Sequence, residues 1–130
     1  IYDEAEIENT IFDFEENLVD LINQSDLCIT RAGASTLAEL SIMNKPFLTI
    51  PLVSAKDNHQ FENANFYQNL GCCWIMSQKD FNDVNLEKFL DHVIMNKSEY
   101  NVKKNNLEKH NFQNSWNDIN QIILDTINEN

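Results

Sequence analysis

The sequence predicts an α/β domain in which a parallel sheet is covered by helices on both faces. Three observations carry that expectation. Short apolar runs at residues 27–30 (LCIT), 47–50 (FLTI) and 72–76 (CCWIM) are continuous rather than alternating in polarity, the pattern of strands buried on both sides. Segments with apolar residues at i, i+3 and i+4 alternate with them, as strand-helix-strand units require. At 130 residues and 42% apolar content the chain is one domain's worth of polymer, and a domain of this size hides about two-thirds of its unfolded surface. Crossovers between parallel strands are right-handed, and such sheets bind ligands at the carboxyl ends of their strands.

In chain order, residues 10–14 (TIFDF) read as a further strand, leading into a helix over 15–24 whose apolar side is Leu18, Leu21 and Ile22. After the strand at 27–30, Arg31-Ala32-Gly33-Ala34 is a turn. Ser35 is expected to cap a helix running to about residue 43, with Leu37, Leu40 and Ile42 facing inward. Lys45-Pro46 is expected to end it, because the residue before proline avoids the α region. Pro51 closes the strand at 47–50, and a polar loop follows to Asn58. Asp57 or Asn58 then caps a helix to Leu70, with Phe61 and Phe66 expected inside and Gly71 as a left-handed stop. Beyond the strand at 72–76, helices are predicted near 84–95, 98–110 and 113–127. The last carries Trp116, Ile119, Ile123 and Ile127 on one side.

Charge narrows the function. With 21 acidic and 9 basic residues the net charge is −12. A sequence-independent nucleic-acid surface needs Lys and Arg to displace counterions, and anionic lipid repels this chain, so neither nucleic acid nor direct membrane contact is expected. No apolar run approaches the roughly 18 residues of a membrane span, and no basic-then-apolar leader is present. The first residue is Ile1, so a piece of a longer or processed polypeptide is expected. Cys28, Cys72 and Cys73 lie in apolar runs and read as core thiols in a reducing cytoplasm. His59, His92 and His110 lack metal-ligand spacing, so no metal is expected.

Two loops leave strands at the ligand-binding edge, residues 31–35 and 51–58. The first holds the chain's only arginine, Arg31, and one of its two glycines, Gly33. Gly33 either lets the backbone approach a phosphate at the following helix N-terminus or makes an ordinary turn, with Arg31 pairing a surface acid. Glu39 lies one turn from Ser35 on the same helix face. It can accept from a ribose diol or simply complement the helix dipole. After the second loop, His59, Gln60 and Asn63 form an amide-rich face that suits a neutral polyol or is merely solvated.

Taken together, Ile29-Thr30-Arg31-Ala32-Gly33-Ala34-Ser35-Thr36-Leu37-Ala38-Glu39-Leu40, then Lys45-Pro46-Phe47-Leu48-Thr49-Ile50-Pro51-Leu52, then Asp57-Asn58-His59-Gln60-Phe61-Glu62-Asn63-Ala64 strongly resemble one family. It is the carboxyl-terminal domain of the bacterial glycosyltransferases that add N-acetylglucosamine to undecaprenyl-pyrophosphoryl-muramyl-pentapeptide. The resemblance runs from about Phe14 to the end and is densest over residues 25–71. It implies the Rossmann-like C-terminal half of a GT-B enzyme, truncated: residues 1–130 would be part of the nucleotide-sugar domain, with 113–130 a C-terminal helix. A first strand, Gly/Ser-rich loop and helix, and the whole acceptor-binding N-terminal domain, would lie elsewhere.

By position, the resemblance implies that Glu39 holds the ribose of UDP. Gly33, Ala34, Ser35 and Thr36 would face the diphosphate and sugar, with Arg31 supporting that loop. Gln60 and Asn63 would contact N-acetylglucosamine, with His59 beside them, and residues 14–18 would border the uracil. The family often has an apolar residue where this chain has Glu15, and often glutamine where it has His59. The implied transfer is inverting and needs no cofactor or metal, with the catalytic base in the absent domain and the acceptor a lipid-linked peptidoglycan precursor. The implied setting is cytoplasmic, the whole enzyme peripheral on the inner membrane face. Three alternatives stay open: another UDP-sugar enzyme such as a hydrolase, a naturally split lipid-linked sugar transferase, and a non-catalytic α/β interaction module.

Overall fold

The computed structural model describes residues 5–53, 58–113 and 124–128. Its sheet has three parallel strands in the order β1 (Cys28–Thr30), β2 (Phe47–Thr49) and β3 (Cys73–Ile75). Cys28, Ile29 and Thr30 pair with Phe47, Leu48 and Thr49, which pair in turn with Cys73, Trp74 and Ile75. Each ladder runs one residue further, through Ile50 N–H to Thr30 O at 2.8 Å and Met76 N–H to Thr49 O at 3.1 Å. The helices are α1 (Leu18–Gln24), α2 (Ala34–Ile42), α3 (His59–Asn69), α4 (Asp83–Met95) and α5 (Lys97–Gln113). The predicted helix over 113–127, with Trp116, Ile119 and Ile123, lies largely outside the described residues; residues 124–128 are helical. Among the described residues no helix is long and apolar enough to cross a membrane.

The central strand is buried throughout, as its apolar composition demands. Phe47 and Cys73 share one sheet face and form the core with Ala32, Leu37, Leu40 and Ala64, so α2 and α3 cover that side. Trp74 points to the other side. Its ring meets Phe89 of α4 edge-on at 5.5 Å, and its indole N–H donates to Glu99 Oε1 at 2.7 Å. Lys103 lies 4.7 Å from the same ring and donates to Cys73 O at 3.0 Å. Glu99 also meets His92 Nε2 at 2.6 Å. The hydrogen bonds from His92 and Trp74 hold its carboxyl below the ordinary glutamate value. Both sheet faces are therefore covered.

Several local expectations need correction. Residues 10–14 form no strand: Ile11 is 77% and Phe14 81% exposed, and the outer edge of β1 carries no partner among the described residues. An isolated extended segment has no neighbour to satisfy its backbone, so apolar composition alone does not make it a strand. Ser35 is not the cap of α2. Gly33 occupies that position with extended backbone and no side-chain cap, placing Ser35 inside the first turn. Lys45-Pro46 does not end α2 either. Asn44 takes the left-handed conformation (φ 52°), and Lys45 N–H reaches Leu40 O at 3.0 Å while Asn44 N–H reaches Ser41 O at 2.9 Å. That is a Schellman stop with asparagine in place of glycine. Gly71 (φ 71°) repeats it at the end of α3, as the sequence predicts. A side chain at Gly71 is strained by the positive φ, and its Cβ, 2.6 Å from Asn106 Nδ2, would also force that side chain to shift.

The inward faces differ from expectation as well. Ile42 is 73% exposed, and Ser41 is buried in its place, held by Asn111 of α5, whose Nδ2 donates to Ser41 O at 2.6 Å. Phe61 and Phe66 are about half exposed, while Ala64 is fully buried and Tyr67 packs on the core. The inward stripe of α3 is therefore Gln60, Asn63, Ala64 and Tyr67, which is helically spaced but half polar.

Candidate functional site

Both loops singled out in the sequence leave the same carboxyl edge of the sheet, and α3 is bonded across to the first of them. Asn63 Nδ2, in the second turn of α3, donates to Ala32 O at 3.0 Å. Ala32 is completely buried, so its carbonyl needs a protein partner, and Asn63 supplies it. Gln60 Oε1 accepts from Leu52 N–H at 2.8 Å, fixing the start of the loop after β2 against α3. Asn63 is thus turned toward the neighbouring crossing and Gln60 toward the start of its own, while His59 stays exposed. An open cleft of about 310 Å³ lies between the two helices, lined by Ala34, Glu62, Asn63, Phe66 and Tyr67.

On the α2 side, Ala34, Ser35 and Thr36 are exposed and occupy the first helical turn. The first intrahelical bond is Leu37 N–H to Gly33 O at 3.0 Å, so the three preceding N–H groups have no helical acceptor, and no side chain caps them. They carry the positive end of the helix dipole in a protein of net charge −12. Glu39 is exposed, one turn beyond Ser35, with no side-chain partner among the described residues. It is the sixth residue of α2, and no acid lies in the first turn. The dipole explanation for Glu39 therefore weakens, because that effect fades beyond the terminal turn.

Among the described residues Arg31 pairs with no acid. Its Nη1 donates to Ile50 O at 3.3 Å and to Gln78 Oε1 at 3.4 Å, reaching from the end of β1 past β2 to the loop after β3. His59 is largely exposed at the start of α3, with Nδ1 3.9 Å from Glu62 Oε2. Asn58 stands at the N-cap of α3 without a side-chain bond, and Asp57 lies outside the described residues. In the segment expected to border the uracil, Glu15 is turned back on its own chain, its Oε1 accepting from Asn17 N–H at 2.8 Å. Phe14 is exposed.

The thiols stand apart from this edge. Burial pushes Cys73 up to about 12 and raises Cys72, keeping both protonated and unreactive at neutral pH. Among the described residues no three His, Cys, Asp or Glu side chains converge as metal ligands.

Sequence reasoning missed two things here. Gln78 reaches the site only through the fold, 47 positions after Arg31, and a single amide following a strand gives no signal. The inward orientation of Gln60 and Asn63 was encoded in their phase with Ala64 and Tyr67, which a polarity-first reading passes over.

Comparison with known proteins bears on the same segments. A curated relative from Pelagibacter ubique (strain HTCC1062) is 50% identical over 130 residues, covering 100% of this chain and 36% of its own length. One from Rickettsia bellii (strain RML369-C) is 37% identical over 110 residues, 84% of this chain and 31% of its own. A third, from Campylobacter jejuni (strain RM1221), is 41% identical over 93 residues, 72% of this chain and 26% of its own. Each is named a UDP-N-acetylglucosamine--N-acetylmuramyl-(pentapeptide) pyrophosphoryl-undecaprenol N-acetylglucosamine transferase. The chain spans about a third of the length of these relatives. The model of the glycosyltransferase family 28 C-terminal domain matches residues 2–119. With that match across most of its length and a parallel α/β sheet to go with it, the chain belongs to the glycosyltransferase family 28 C-terminal domain family.

Proposed function

We propose that this chain is the donor-binding part of an inverting glycosyltransferase that moves N-acetylglucosamine from UDP onto a lipid-linked peptidoglycan precursor. The observation that carries the reading is the Asn63–Ala32 bond, which holds the β1–α2 and β2–α3 crossings together at the strand ends. One crossing offers unpaired N–H groups at residues 34–36 for a diphosphate; the other brings amides for sugar hydroxyls. Glu39 accepts from the ribose hydroxyls. Asn63 and Gln60 each spend one amide atom on the fold and keep the other for the hexosamine, with His59 at the rim. Residues 14–18 border the uracil.

In the reaction, an acceptor hydroxyl attacks the anomeric carbon and UDP departs. Charge developing on the leaving diphosphate is met by preorganised backbone N–H groups and the α2 dipole, which cost no reorganisation at that moment. The general base and the acceptor site belong to a second domain, and residues 1–130 form only part of the nucleotide-sugar domain. The whole protein works at the cytoplasmic face of the membrane, with the lipid-linked acceptor met through that second domain.

Calorimetric titration with UDP-N-acetylglucosamine and ADP-glucose tests this reading. The uridine ligand is expected to bind more tightly, and Glu39→Ala to weaken it by about 1–3 kcal/mol, the range for stranded hydrogen-bond partners. Equal binding of the two nucleotides contradicts it.

A further inference from the structure

Arg31 follows β1, yet its side chain reaches the end of β2 and the loop beyond β3. It follows the last residue of β1, donates to the carbonyl of Ile50 just after β2, and reaches Gln78 three residues after β3. Neighbouring strands lie about 4.8 Å apart, so the span from β1 to the loop beyond β3 is roughly 10 Å, which only a long side chain crosses. Both bonds use Nη1, and the other guanidinium donors have no partner among the described residues.

The acceptor at the far end is braced. Ser77 Oγ lies 2.5 Å from Asp80 Oδ2, and Asp80 N–H returns to Ser77 O at 3.0 Å. Asp80 O receives Asn82 Nδ2 at 3.2 Å and Asn85 Nδ2 at 2.8 Å, while Asn82 caps α4 through Asn85 N–H. Gln78 therefore sits on a turn fastened to the start of α4. A guanidinium, with donors in a fixed planar fork, transmits such an anchor, whereas a lysine in its place is a swivelling point charge.

We infer that Gln78 is a positioning residue for the donor site: by holding the Arg31 guanidinium across the strand ends, it sets the start of the β1–α2 crossing against the β3–α4 loop. This rests on the donor-binding reading above and adds to it a third loop that touches no ligand itself.

A double-mutant cycle with Arg31→Ala and Gln78→Leu, read by affinity for UDP-N-acetylglucosamine and by amide NMR, tests the inference. Gln78→Leu is expected to weaken binding about threefold to tenfold, and the double variant to bind no worse than Arg31→Ala, as coupled neighbours do. Gln78→Glu, which keeps an acceptor, is expected to restore affinity, and the urea midpoint of both Gln78 variants is expected to stay unchanged. Full affinity in Gln78→Leu, or losses that multiply in the double variant, overturns the inference. A ligand-free comparison stands beside this. Gln78→Leu is expected to shift the amide resonances of residues 32–36, and unmoved resonances there overturn the positioning role regardless of binding. A wild-type chain that ignores the nucleotide sugar overturns the donor reading instead and leaves the resonances to decide this one.

Discussion

Helices α2 and α3 leave neighbouring strands at one edge of one sheet, yet they are fastened by opposite chemistry. α2 buries Leu37 and Leu40 completely and turns Ser35 and Glu39 outward, the ordinary amphipathic arrangement. α3 turns Gln60 and Asn63 inward with Ala64 and leaves Phe61 and Phe66 about half exposed. Burial is non-directional and fixes how deeply a helix sits, whereas hydrogen bonds are directional and fix where its end points. Apolar packing therefore serves to stabilise the first crossing, and the Asn63 hydrogen bond serves to align the second with it.

Removing the packing has the largest expected effect. Leu37→Ala empties a fully buried site under α2 and is expected to cost about 2–5 kcal/mol in urea unfolding; a loss under about 1 kcal/mol means that α2 is not held by its apolar stripe. Asn63→Ala strands the buried Ala32 carbonyl and is expected to cost about 1–3 kcal/mol. It is also expected to reduce nucleotide-sugar affinity, because the two crossings lose their tie. An unchanged stability makes that bond incidental. The smallest effect is expected at the residue that looks most like core in the sequence: Phe61→Ala removes a half-exposed ring and is expected to cost about 1 kcal/mol or less, against about 3–5 kcal/mol for a buried one. A larger loss restores the apolar reading of α3.

The same contrast explains what the sequence made legible. The three strands, their parallel sense and the helices that follow them are predicted by continuous apolar runs separated by helical periodicity, and the structure has them. The stretch at 10–14 fails because a strand is a property of a pair, and composition says nothing about whether a neighbour is present. Asn44 as a helix stop is invisible beside the more conspicuous Pro46, since asparagine takes left-handed backbone less often than glycine.

Around the candidate site, motif order predicts that Gly33, Ser35 and Asn63 fall at one edge of the sheet, and the structure places them there. The double duty of the amides was not legible. Gln60 and Asn63 have the polarity that suits a polyol, and the fold spends part of it on its own loops. Gln78 was illegible because its meaning arises only through Arg31, across two strands.

The most direct test of the shared cradle is amide NMR during titration with UDP-N-acetylglucosamine. Shift changes are expected to appear together, at one common saturation, over residues 32–36 on one crossing and 60–64 on the other, with Glu39 following. Changes confined to a single crossing, or centred on α4 and α5, contradict the account.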